Sequence, residues 1–179
     1  MGMVVSVSAS PAHGFSKIPA PSITLLAGLG VAGDAHCGAT VRHRSRVAAD
    51  PLQPNLRQLH LFPAEWLEAL DARGFDLAPG GLGENVLTRG LDLSALPTGA
   101  LLRFARGPLI AVTGLRNPCH QIESYRKGLL DAVLERDAGG RLVRKAGIMA
   151  VVLEGGEIRP GDRIELSLPP QPHQPLQRV

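Results

Sequence analysis

Gly147-Ile148-Met149-Ala150-Val151-Val152-Leu153, followed by Glu154-Gly155-Gly156-Glu157, Arg159-Pro160-Gly161-Asp162 and Arg163-Ile164-Glu165-Leu166-Ser167-Leu168, decides the fold class. The first run is apolar, short and rich in branched side chains, as a buried strand should be. Glu154-Gly155-Gly156-Glu157 is a hairpin signal. Arg159-Pro160-Gly161-Asp162 has Pro second and Gly third, which fits a tight turn. The last run alternates cleanly, as a half-buried strand does. Working outward, Met3-Val4-Val5-Ser6-Val7-Ser8, Ser22-Ile23-Thr24-Leu25-Leu26, Arg57-Gln58-Leu59-His60-Leu61-Phe62, Glu84-Asn85-Val86-Leu87-Thr88 and Leu101-Leu102-Arg103-Phe104 read as further short strands. Leu109-Ile110-Ala111-Val112-Thr113 alternates poorly and reads as a largely buried strand. Two helical patterns interrupt the series. Pro63 opens one over 64–73, with Trp66, Leu67 and Leu70 on its apolar face and Gly74 to close it. The other spans 125–136, where Leu129, Leu130, Val133 and Leu134 recur at helical spacing, and Gly139-Gly140 ends it. Many short strands with helices only in the connections predict a mainly β fold: a closed, largely antiparallel β-barrel with peripheral helices. One domain should span 1–168, and the Pro/Gln-rich residues 169–179 should form a mobile tail.

Composition narrows the function classes. A chain of 179 residues suits one domain with a sizeable core, and 44% hydrophobic with 20% charged residues suits a globular chain. Aromatics are only 3%, so Leu, Val, Ile and Ala must fill the core. The formal charge is +3, and Lys17, Lys127 and Lys145 are the only lysines. The positive charge is therefore mostly arginine, which suits phosphate or carboxylate. No basic run carries interleaved aromatics, so nucleic acid is not an expected partner. Cys37 and Cys119 are too few for a disulfide framework, which fits a cytoplasmic protein with reduced thiols. No secretory signal is visible, and the longest apolar run is far too short to span a bilayer, so no membrane partner is expected.

The chemistry concentrates in Arg116-Asn117-Pro118-Cys119-His120-Gln121. Pro118 biases Asn117 away from helix, so Cys119 should sit on a fixed loop at a strand end. Arg116, and His120 when protonated, would favour thiolate, the form that attacks carbon and binds metal. The plainer reading is a small buried cysteine, and local chemistry alone leaves both open. Gly28-Leu29-Gly30-Val31-Ala32-Gly33 is a literal G-x-G-x-x-G. No apolar helical period follows it, so a dinucleotide fold is rejected and the glycines are assigned to tight turns. Asp34, His36, Cys37 and His43 form a polar cluster beside Arg42, without the paired spacing of a structural zinc site. Glu84 and Asn85 at a strand start can bind a ligand or satisfy turn backbone.

Taken in order, these pieces resemble the MOSC domain, named for the C-terminal part of molybdenum cofactor sulfurases. The resemblance lies in Gly33-Asp34-Ala35-His36, Gly81-Leu82-Gly83-Glu84-Asn85-Val86 with Thr88 and Gly90, Arg116-Asn117-Pro118-Cys119, and Gly155-Gly156-Glu157-Ile158-Arg159-Pro160-Gly161-Asp162. It runs from about Ile23 to Leu168 and is nearest to free-standing bacterial members. It implies a β-barrel, a pyranopterin molybdenum cofactor, and Cys119, not Cys37, as the metal ligand. The family's pyridoxal phosphate chemistry belongs to a separate desulfurase domain, so that cofactor is not expected here. The extra N-terminal barrel segment of the mitochondrial amidoxime-reducing proteins has no obvious equivalent.

On this resemblance, Arg116, Arg42 and the Gly28 to Gly33 turns are candidates for the cofactor's phosphate, Asn85 and Thr113 for its pterin, and Asn117 and Glu84 for cofactor binding more broadly. A thiolate suits a metal already held by soft sulfur. Three functions stay open. One is a reductase that takes oxygen from a small N-hydroxylated substrate, such as a hydroxylaminopurine or amidoxime. Asp34, His36 or His120 would relay protons, and a separate reductase would supply electrons, since no cysteine cluster can hold an iron–sulfur centre. The second is a carrier of cofactor or of sulfur as a Cys119 persulfide. The third is a zinc or redox-sensor domain using His36, Cys37, Cys119 and His120. The oligomeric state is not set by the sequence.

Overall fold

The structure is a computed structural model that describes residues 1–42 and 44–179, with residues 44–46 described by backbone alone. His43 of the polar cluster therefore lies outside the described residues. The strands are β1 (Gly2–Ala9), β2 (Ile18–Ala20), β3 (Ile23–Leu26), β4 (Gly30–Val31), β5 (Leu59–Pro63), β6 (Val86–Arg89), β7 (Leu101–Phe104), β8 (Leu109–Leu115), β9 (Leu134–Arg136), β10 (Leu142–Arg144), β11 (Ile148–Glu154), β12 (Gly156–Ile158) and β13 (Arg163–Ser167). Helices α1 (Arg44–Ala49), α2 (Ala64–Asp71), α3 (His120–Tyr125) and α4 (Leu129–Ala132) lie in the connections.

Seven strands close in the order β13-β7-β8-β11-β5-β6-β1, with β1 returning to β13. Every junction is antiparallel except β5–β6, which is parallel. The expected closed, largely antiparallel barrel is therefore present, in mixed form. Closure removes the unpaired edges that would otherwise invite association. Alternate side chains turn inward, and Val4, Leu61, Leu102, Phe104, Ile110 and Ile148 pack the lumen without exposure.

A parallel pair cannot be joined by a hairpin, so the chain crosses outside the barrel between β5 and β6. That crossover carries α2. Its Ala64, Leu67 and Leu70 join Phe62, Leu87, Ile122 and Leu129 in a second apolar core on the outer wall. Burying each large side chain there contributes about 1.5–3 kcal/mol. This explains why β5 is buried on both faces, where half-burial was expected. Pro63 lies in β5 and precedes α2 as its cap, with extended backbone at ψ 133°.

Three expectations are corrected. β8 alternates strictly, with Ile110, Val112 and Gly114 inward and their neighbours half-exposed. The helix expected over 125–136 is broken, because Gly128 takes a left-handed conformation at φ 80°. α3 therefore starts earlier, at His120, and Leu134–Arg136 pairs with Leu142–Arg144 as a hairpin across Gly139-Gly140. Glu154-Gly155-Gly156-Glu157 does not fold β12 back on β11; β12 crosses to β3, in a small sheet with β4. The segment after Leu168 is laid against the barrel: Gln174 and Gln177 accept backbone hydrogen bonds from Thr98 and Leu115. The turn at Arg159–Asp162 forms as expected, closed by Asp162 N–H to Arg159 O at 3.1 Å.

Candidate functional site

His60 on β5 and Met149 on β11 are register partners. Their neighbours Leu59, Leu61, Ile148 and Ala150 belong to the lumen core, so these two side chains point out of the barrel. They form part of a cleft of about 230 Å³ on the outer wall, which Phe15, Lys17, Arg116 and Cys119 also line. Further lining comes from His36, Arg42, Asn55, Arg57, Asn117 and Gln121.

Cys119 follows β8 on the short loop that precedes α3, as the proline predicted. It is half-buried, and its Sγ lies 3.5 Å from Gln121 Oε1. Arg116 leaves the same strand end, with its N–H bonded to Gly147 O at 3.0 Å. Arg116 as a whole is 9% exposed, and its guanidinium stacks 5.5 Å above the Phe15 ring. Burial pulls its proton affinity down, while the Cys119 sulfur and Glu84 pull it back up. Among the described residues its Nη1 is buried without a hydrogen-bond partner, as is Glu84 Oε2. An orphaned guanidinium nitrogen in a cleft wall is costly unless an acceptor meets it.

Asp34 is the electrostatic centre behind the wall. Its carboxylate is buried and accepts from Ser10 N–H at 3.2 Å, His36 N–H at 2.9 Å, Asn85 Nδ2 at 3.2 Å and Lys17 Nζ. His36 Nδ1 lies 3.3 Å from Oδ1. Burial pushes this carboxyl up, but His36 and Lys17 outweigh it and hold it well below the usual range. Burial lowers Lys17, and Asp34 and then Glu84 oppose that. Asn85 is a tie. Its Oδ1 accepts His60 N–H at 3.1 Å, and its amide donates to Ser8 O and Asp34, so β1, β5 and the Asp34 loop are held together. His60 is held neutral: burial and then Arg116 drive it well below the ordinary value. Its Nε2–H donates to Ala146 O at 2.9 Å.

The sequence-derived candidates therefore divide. Cys119, His36, Arg116, Asn117, Arg42 and Asn85 line one cleft. Asp34 stands directly behind it. Glu84 holds the preceding glycine turn, with Oε1 accepting Gly80 N–H at 2.5 Å, and burial pushes its carboxyl up. Thr113 pins Leu56 O at 2.6 Å, and exposed His120 meets Ser124 at 3.1 Å; neither lines the cleft. The Gly28 and Leu29 amides are occupied by Val152 O and Leu26 O, so that turn is structural. Cys37 does not line the cleft. Among the described residues no three His, Cys, Asp or Glu side chains are grouped to hold a metal, as a structural zinc would require. Sequence reading missed Lys17, His60, Arg57, Gln121 and Met149. Only the rarity of lysine and the histidine within a strand pattern marked any of them.

A soft sulfur and a partnerless guanidinium on one cleft, with both nearby carboxylates behind its wall, fit a group that pairs a thiophilic metal with an anionic tail. A family model described as the MOSC domain matches residues 40–165. Among solved structures, the YuaD protein of Bacillus subtilis is 25% identical, with a TM-score of 0.74 over 93% of this chain and 96% of that one. YiiM of Escherichia coli is 24% identical, with a TM-score of 0.63 over 97% and 73%. YiiM of Geobacillus stearothermophilus is 18% identical, with a TM-score of 0.64 over 93% and 75%. No curated protein matches the sequence. Among the described residues no helix is long and apolar enough to cross a membrane.

Proposed function

The chain belongs to the MOSC domain family, and from that premise we propose that it binds a molybdenum cofactor and removes oxygen from small N-hydroxylated compounds. The observation that carries this reading is the meeting of Cys119 and the partnerless Arg116 Nη1 on one cleft. Cys119 Sγ would be the one protein ligand to the metal. Arg116, with Lys17 on the same cleft, would take the anionic part of the pterin, where a planar guanidinium gives paired hydrogen bonds. When bound, the cofactor supplies two-electron redox chemistry suited to an N–O bond, and a separate donor protein replenishes the electrons.

The chain's own residues bind, orient and handle protons. Reducing N–OH to N–H releases water and consumes protons. His36, which lines the cleft with its Nδ1 tied to Asp34, is the group to supply them. Neutral His60 and Met149 give the floor no charge. Phe15 and Val41 offer apolar surface to a flat ring.

The test is elemental analysis and hydroxylaminopurine reduction on protein from cells able to make the cofactor. Wild type should carry molybdenum and turn over, and Cys119→Ala should lose both. A fully active Cys119→Ala protein refutes the proposal. A stable added sulfur on Cys119 with no turnover would mark a carrier instead.

A further inference from the structure

We infer that residues 174–179 are a positioning element for the cysteine loop. The inference rests on Cys119 being the working residue of the cleft. β7 pairs with β8 only at Leu109, Ile110 and Ala111. Beyond Val112 that edge of β8 has lost its barrel neighbour, and residues 174–179 take the place. Thr98 N–H donates to Gln174 O at 2.9 Å, Leu115 N–H to Gln177 O at 2.7 Å, and Val179 N–H to Leu115 O at 3.3 Å. Leu115 and Arg178 form a parallel bridge. Leu176 packs against the lumen core.

Gly114 makes this approach possible. A Cβ there would lie 2.4 Å from Gln177 O and 2.7 Å from the Val179 side chain. Leu115 is the last residue of β8, and both its N–H and its carbonyl are bonded to the tail. One residue later the chain is Arg116, and Arg178 Nη1 lies 3.5 Å from Asn117 Oδ1 within the same loop. The tail thus fixes the strand end from which Arg116 and Cys119 project. It touches neither metal nor substrate, so its role is exerted through Leu115 and Asn117.

The test compares the full chain with a variant ending at His173, both free of cofactor. Each is alkylated with iodoacetamide, and Cys119 and Cys37 are scored separately by peptide mass spectrometry. Cys37, on the loop after β4, is the internal reference, since global unfolding would raise both rates. Losing the Leu115 bonds should raise the Cys119-to-Cys37 ratio roughly tenfold. The molybdenum content of protein from cofactor-competent cells should fall. An unchanged ratio in a folded truncated chain overturns the inference. Should that chain not fold, amide exchange in the full chain decides. Protection at Leu115 matching Val112 supports the inference; fast exchange at Leu115 beside a protected Val112 overturns it. The alkylation ratio and the exchange are read on metal-free protein, so they stand or fall separately from N–O reduction.

Discussion

Replacing Asp34 by Asn should destabilise the protein more than any other single change in the polar wall. The carboxylate side chain is 3% exposed and that of Lys17 is 7% exposed. Removing the negative charge leaves a buried ammonium facing an amide, and breaking such a pair from one side costs about 3–5 kcal/mol. Lys17 can shed its proton instead, which caps the penalty near the lower figure. For a chain of this size the melting temperature should fall by roughly 6–12 °C. Lys17→Met should cost only about 1–2 kcal/mol, because Asp34 keeps donors from Ser10, His36 and Asn85. The double variant should be more stable than Asp34→Asn alone. The dependence on pH has a definite sign. Asp34 titrates lower folded than unfolded, so its contribution is complete above the unfolded value of about 3.9 and drains away as pH falls below it. The gap between wild type and Asp34→Asn should therefore narrow between neutral pH and about pH 3. Urea titrations of the four proteins at both pH values measure this. A loss under about 1 kcal/mol for Asp34→Asn, or equal costs for both single variants, would show that the pair is not the electrostatic centre described.

His60 is held neutral when folded, so its contribution is full above the unfolded value of about 6.5 and is lost as pH falls below it. Wild type should lose up to about 1.4 kcal/mol per pH unit in urea stability from this group below that point, and His60→Gln should abolish that slope. Gly147 sits at φ 89°, and an added Cβ would lie 2.4 Å from Leu61 O and 2.5 Å from His60 Nε2. Gly147→Ala should therefore cost about 2–4 kcal/mol, and near-wild-type denaturant stability would contradict the packing described.

What the sequence made legible was local. Strands announce themselves by period, and the Pro118 loop placed Cys119 correctly because proline constrains its neighbour without help from the fold. What it hid depends on distant partners. The pattern over 125–136 is helical on paper, yet Gly128 turns left-handed and Leu134 finds a strand partner in Arg144. Lys17 sits in a proline-rich stretch with no motif. It reaches the cleft because its N–H bonds to Gly80 O, a contact across more than sixty residues. His60 looked like the polar half of a half-buried strand, yet it is buried, its backbone N–H held by Asn85 and its ring by Ala146. The contacts of Gln174 and Gln177 with Thr98 and Leu115 were equally invisible, because backbone hydrogen bonds to a strand edge leave no mark on side-chain chemistry.

The lumen packed with apolar side chains keeps barrel closure apart from any binding on the outer wall. Nothing bound on the outer wall contributes an atom to barrel closure, so under the proposed function the chain would fold first and receive its cofactor afterwards. Loading then becomes an event of the finished surface, governed by supply and by the loops, and drift in those loops leaves the barrel beneath them intact.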